Sequence, residues 1–138
     1  MGTVIRAEIS RKSTYYLSKH RYYELKHFCM QYPNWIKGRS ELSFIRIPVY
    51  GETVLGRKEA IRSTEKDAEK AAWYNLRIQM VEEAATEADP IIGPYILRAV
   101  VEGLSYDTVR AREAVPCCRD IYYELYRKFF FILSEKRQ

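Results

Sequence analysis

DPIIGPYILRAVVEGLSYDTVRAREAVPCCRDIYYELYRKFFFILSEKR, residues 89–137, reads as three helices separated by two tight turns. Asp89 can cap a helix by accepting backbone N–H groups, and Pro90 fits a first turn, where a missing N–H is no loss. Ile92, Ile96, Ala99 and Val100 then recur on one helical face. Gly103 can take the left-handed backbone that closes this helix. Ser105 caps a short second helix over 106–112. Val115-Pro116 breaks it, because proline has no N–H and disfavours helix in the residue before it. A long, basic and aromatic third helix follows over 118–135. This is the tri-helical helix-turn-helix layout, whose last helix enters a major groove of duplex DNA.

Upstream, Ser18 caps a helix over 19–31, with Tyr22, Leu25, Phe28, Cys29 and Tyr32 on one face and Pro33 as its stop. Trp35 and Ile36 add apolar bulk for the core. A second helix is expected over 65–88, with Thr64 and Asp67 as a capping box. Its packing stripe is Trp73, Leu76, Met80, Ala84 and Ala88. The run from Leu42 to Val49 is β-branched and aromatic, and Tyr50-Gly51-Glu52 can turn it, so a small hairpin is expected over 42–55, confined to an edge by Pro48. Residues 1–17 read as a basic arm with a short strand near Val4–Ile9. The expected fold class is mainly α in one domain. Its parts are a basic arm, helix and loop (1–62), a long packing helix able to pair with a second copy (63–88) and the helix-turn-helix unit (89–137).

The 138 residues suffice for one modest core. The formal net charge is +5, and it is uneven. Residues 1–62 hold twelve basic against five acidic side chains, 63–102 four against eight, and 103–138 seven against five. Basic ends around an acidic middle suit a protein whose ends touch a polyanion. The 12 tyrosines have apolar rings with polar tips, which suit half-buried and contact faces. Three cysteines, Cys29, Cys117 and Cys118, form no disulfide framework, so reduced thiols and a cytoplasmic setting are expected. No run of 18 apolar residues and no apolar leader is present, so no membrane role is expected. His20, His27 and Cys29 are too few for a metal site, which needs three or four converging ligands. No Gly-rich phosphate loop, nucleophile elbow or acid pair is present. Neither enzyme activity nor a cofactor is expected.

The third helix carries the chemistry of interest. Its inward stripe is expected to be Ile121, Leu125, Phe129, Ile132 and Leu133. Arg119 can reach guanine O6 and N7 with two parallel hydrogen bonds, and Asp120 can hold that arginine or accept from cytosine N4. Tyr122 or Tyr123 can donate to a phosphate or stack on a sugar, unless both pack against the amino-terminal helix. Arg127, Lys128, Lys136 and Arg137, with Arg110 and Arg112 from the second helix, supply attraction to the phosphate backbone.

Tyr95-Ile96-Leu97, Gly103-Leu104-Ser105-Tyr106, Pro116-Cys117, Arg119-Asp120, Tyr122-Tyr123 and Arg127-Lys128-Phe129-Phe130 form a pattern. It resembles the small phage and prophage proteins of Firmicutes grouped with the RinA and ArpU late transcription regulators. Tyr22-Tyr23-Glu24-Leu25-Lys26-His27-Phe28, Gln31-Tyr32-Pro33 and Trp35 look like the same group, as does 82–89. The resemblance implies a region like the DNA-binding end of sigma factors and control of phage late genes through host RNA polymerase. Cys118 departs from the small Gly or Ser expected before Arg119, and residues 38–55 match nothing in the pattern. Two other classes fit the same features: a small-terminase-like packaging subunit, which also carries a helix-turn-helix, and a phage inhibitor that binds a host or defence protein.

Overall fold

The structure is a computed structural model that describes residues 14–43 and 54–138, with side chains for 14–42 and 64–138. It is mainly helical, and no strand occurs among the described residues. The helices are α1 (Lys19–Met30), α2 (Tyr32–Ser43), α3 (Val54–Ala88), α4 (Gly93–Glu102), α5 (Tyr106–Glu113) and α6 (Arg119–Lys136). The chain divides into two compact units, one holding residues up to Tyr32 together with Gln79–Gln138, the other Pro33–Ile78. This division runs inside α3.

In the first unit α1 packs on α4 and α6, and α4 packs on α5 and α6. Ser18 caps α1 as expected, its Oγ accepting the Arg21 N–H. Tyr22, Leu25, Phe28 and Cys29 are buried, which bears out four members of the expected stripe; the fifth, Tyr32, is half-buried and belongs to α2. The buried residues of α3 here are Val81, Ala84, Ala85 and Ala88. Small side chains let another helix come close, and α4 uses this at its first residue. A Cβ on Gly93 would collide with the Ala85 carbonyl oxygen. Only hydrogen fits between the two backbones, which is why glycine opens α4.

The inward face of α6 differs from the one expected. Tyr122, Tyr126, Phe129, Phe130 and Leu133 are buried, whereas Ile121 is half exposed and Leu125 and Ile132 lie at intermediate depth. The helix is turned by about one residue from the aliphatic stripe. Aromatic rings remove more apolar area from water than isoleucine does and can interlock edge to face. Tyr22 of α1 meets Phe130 edge-on at 5.0 Å between centroids, and the Tyr22 and Tyr126 hydroxyls share a buried hydrogen bond of 3.0 Å.

In the second unit α2 meets α3 at Tyr74 and Asn75. Gly38 lies against the Tyr74 ring so closely that a Cβ there would clash with it. Arg39 donates to Asn75 Oδ1 at 3.2 Å. Sequence reasoning missed α2. Pro33 ends nothing here; it sits in the first turn of α2, where its missing N–H is harmless. The hairpin expected over 42–55 is corrected at both ends, since Leu42, Ser43, Val54 and Leu55 are helical, and its middle lies outside the described residues. The strand expected near Val4–Ile9 lies outside them too, as does the expected arm up to residue 13; residues 14–17 are turn and coil.

α3 starts at Val54, so Thr64 sits inside the helix and caps nothing. Its expected stripe holds in part: Ala84 and Ala88 are buried and Met80 lies at intermediate depth, whereas Trp73 and Leu76 are exposed, Trp73 lying under the Arg77 guanidinium at 3.6 Å.

Candidate nucleic-acid interface

Each turn from α3 to α6 is held by a local backbone device. Asp89 Oδ1 accepts the N–H groups of Ile91 and Ile92 at 2.8 Å each, and the Asp89 carbonyl accepts from Gly93. Gly103 adopts φ 70°, its N–H donates to Val100, and Leu104 N–H donates to Ala99. This is a Schellman closure of α4. Ser105 Oγ then accepts the Thr108 N–H and caps α5. α5 closes at Ala114, a non-glycine residue at φ 48°, whose N–H donates to the Arg110 carbonyl. Gly103, Ser105 and the break at Val115-Pro116 are therefore where the sequence suggested; the left-handed Ala114 is not a residue type that announces itself.

Tyr106, the first residue of α5, fixes the start of α6. Its backbone N–H donates to Tyr123 Oη at 3.1 Å, and its own hydroxyl donates to the Cys117 carbonyl. Its ring stacks on Tyr122 with 5.0 Å between centroids and 16° between planes. Arg98 and Glu113 pair at 2.7 Å and tie α4 to the end of α5. Neither clamp was singled out from the sequence. The signal was a tyrosine just after the Ser105 cap, seventeen positions before Tyr123.

The candidate contact residues fall into three groups. Arg110 and Arg112 on α5 are exposed, as are Arg119 and Asp120 in the first turn of α6. Arg127 and Lys128 lie at intermediate depth two turns further along. Positions four apart share a helical face, so Arg119, Tyr123 and Arg127 form one row along α6 and Asp120, Glu124 and Lys128 the adjacent one. No ion pair holds Arg110, Arg112, Arg119, Arg127 or Lys128 among the described residues.

Tyr122 departs from the expected phosphate-contacting role. It is wholly buried, and its hydroxyl has no hydrogen-bond partner. Burial pushes its ionisation far up, with lesser contributions from Tyr123, Cys117 and Tyr106. Tyr123 is half-buried and its hydroxyl is already engaged by Tyr106.

Lys136 and Arg137 also have other work. Lys136 Nζ lies 3.1 Å from Glu87 and 3.6 Å from Glu83, and the Glu87 hydrogen bond leads the causes that raise its pKa. Arg137 pairs with Glu24 at 3.1 Å and covers the Phe28 ring at 4.1 Å. They pin the end of α6 to α3 and α1. Arg21 adds to this pinning by donating to Ser134 Oγ and to the Ser134 and Arg137 carbonyls at 3.0 Å each.

Among the described residues no group of His, Cys, Asp and Glu could hold a metal ion, and no helix is long and apolar enough to cross a membrane. Comparison of the chain with family models, curated proteins and solved structures finds no match.

Proposed function

We propose that the chain is a DNA-binding transcription regulator of the phage and prophage late-gene kind, with α4, α5 and α6 as its helix-turn-helix and α6 as the helix that enters the major groove. The observation that carries this reading is the division of the cations. Arg21, Arg98, Lys136 and Arg137 are spent on holding helices together. Arg110, Arg112, Arg119, Arg127 and Lys128 on α5 and α6 have no such partner, and an unneutralised arginine at a helix start can take a base edge in two hydrogen bonds.

Arg119 is the base-reading residue, and Asp120 beside it orients it or accepts from cytosine. Arg110, Arg112, Arg127 and Lys128 supply the phosphate attraction. Asp120 and Glu124 offset part of that charge, so non-specific affinity is modest and specificity depends on Arg119. Host RNA polymerase is the protein partner this reading implies, and α3 is long enough to pair with a second copy.

The test is binding of the purified chain to fragments of its source genome between about 50 and 200 mM salt, a range over which backbone-only contacts weaken steeply. One fragment held selectively at the higher salt is expected. Binding that is salt-sensitive and unselective favours a packaging role, and absence of binding at low salt overturns the DNA reading.

A further inference from the structure

The three thiols occupy different surroundings. Cys29 is fully buried in the core, and burial holds its thiol up. Cys118 is exposed and caps α6 with no hydrogen bond from its side chain. Cys117, next to it, is half-buried. Burial raises its thiol, and the charges of Cys118 and Asp89 raise it further. The same few residues hold the turn together: the Cys117 carbonyl accepts the Tyr106 hydroxyl, and the Cys118 carbonyl accepts the Tyr122 N–H in the first hydrogen bond of α6.

We propose that Cys117 and Cys118 are a reversible thiol-modification site, oxidised by a low-molecular-weight disulfide to a bridge between the two neighbours, and that this closure resets the start of α6. Cys118, the exposed thiol, meets the small disulfide first. Its thiolate attacks one sulfur and the S–S bond breaks. The leaving thiolate takes up the proton that Cys118 gave up. Cys117 then loses its proton and attacks the Cys118 sulfur, and the second small thiol leaves with that proton. The two protein thiols lose two electrons, and the small disulfide is reduced to two thiols.

A trans peptide holds neighbouring Cα atoms about 3.8 Å apart, closer than the roughly 4.4–6.8 Å usual for disulfides. Closing the eight-membered ring therefore has to strain the backbone on both sides of the peptide between Cys117 and Cys118. That strain shifts the Cys117 carbonyl, which holds Tyr106, and the Cys118 carbonyl, which begins α6. Strain also makes the bridge easy to reduce, so the dithiol is the resting form. The effect on DNA rests on the helix-turn-helix reading, since Arg119 directly follows Cys118; the thiol chemistry does not.

The full chain, folded, is incubated with 2-hydroxyethyl disulfide, alkylated, digested and weighed. The peptide holding Cys117 and Cys118 is expected to be lighter by two hydrogens and unalkylated, with Cys29 reduced. Exchange of the Tyr122 amide should quicken, and dithiothreitol should reverse both changes. Cys117→Ser should stop at a mixed disulfide on Cys118, and Cys118→Ser should give no bridge. A lasting mixed disulfide in the unsubstituted chain, two unreacted thiols or a bridge to Cys29 overturns the site. In the reduced chain, absence of DNA binding would sink the helix-turn-helix reading while the mass result still decides the thiol site. If the reduced chain holds one fragment selectively, the bridged form should lose about tenfold in affinity, the scale of one bidentate base contact. Equal affinity in the two forms overturns the reset of α6.

Discussion

Tyrosine 122 shows how one side chain can lead sequence reasoning astray and still be informative. Its hydroxyl is buried without a partner, while Tyr126, one turn on, shares a hydrogen bond with Tyr22. A buried polar group without a partner keeps its desolvation cost, whereas a made hydrogen bond adds about 1 kcal/mol. Tyr122→Phe should therefore leave urea stability unchanged or raise it by up to about 1 kcal/mol, and Tyr126→Phe should lower it by a similar amount. A loss at Tyr122 equal to that at Tyr126 would mean that its hydroxyl is satisfied in solution. The same two residues set the alkaline limit. Burial raises both phenols above the ordinary tyrosine value, and it raises the Cys29 thiol too. Each group holds its proton more tightly folded than unfolded. The stability they contribute is complete below the unfolded pKa values and falls as pH climbs past them. Urea midpoints should hold steady to about pH 8.5, decline as unfolded Cys29 ionises, and fall faster above about pH 10. Tyr126→Phe should flatten the upper limb. A midpoint independent of pH up to about 11 would contradict the burial of both phenols.

The turns between helices and the buried faces of α1 and α4 were the legible part of this sequence, and the faces of α3 and α6 were not. Gly103, Ser105 and the Val115-Pro116 break act through the backbone of a few neighbours, so their residue types suffice to locate them. Facing depends on what lies opposite. α6 carries both an aliphatic and an aromatic stripe, and the rings opposite decide which turns inward: Tyr106 of α5 stacks on Tyr122, and Tyr22 of α1 meets Tyr126 and Phe130. Pro33 was ambiguous for another reason, since proline suits either the stop of one helix or the first turn of the next. Among the candidate contacts, the exposure of Arg119 at a helix start followed from the turn, while the partners of Lys136 and Arg137 lie on α3 and α1 and could not be read locally. The turns yield graded predictions. Gly103→Ala meets open space and should cost only the left-handed backbone, about 1–2 kcal/mol. Gly93→Ala must push α4 off the Ala85 carbonyl and should cost more, about 3 kcal/mol on the scale of a strained, overpacked site. Ala114→Gly relieves a positive φ and should gain about 0.5–1 kcal/mol. Thermal or urea unfolding ranks the three, and a milder loss at Gly93 than at Gly103 would show that the α3–α4 contact can open.

Over the first unit, cations serve two ends, and the difference is measurable. Arg137 and Lys136 bind acids on α1 and α3, where exposed ion pairs are worth up to about 1 kcal/mol each. The Arg137 guanidinium over Phe28 adds about 0.5–1 kcal/mol. Arg137→Ala should therefore lower unfolding stability by about 1–2 kcal/mol. It should leave the salt dependence of DNA binding unchanged, because its guanidinium is held on α1 by Glu24 and the Phe28 ring. Lys128→Ala should do the reverse: little change in stability, weaker binding to every sequence, and a salt slope smaller by about one. Arg119→Ala should remove preference among sequences, at about 1–3 kcal/mol for the favoured site, while binding to random DNA changes far less. Measured together as unfolding curves and salt titrations, the three variants separate bracing, attraction and reading. If Arg119→Ala weakened specific and random DNA alike, its contact would be to phosphate and the base-reading role would move elsewhere on α6. If Arg137→Ala instead flattened the salt slope, the end of α6 would leave its braces on binding, and the packing of α6 against α1 would be part of how the chain engages DNA.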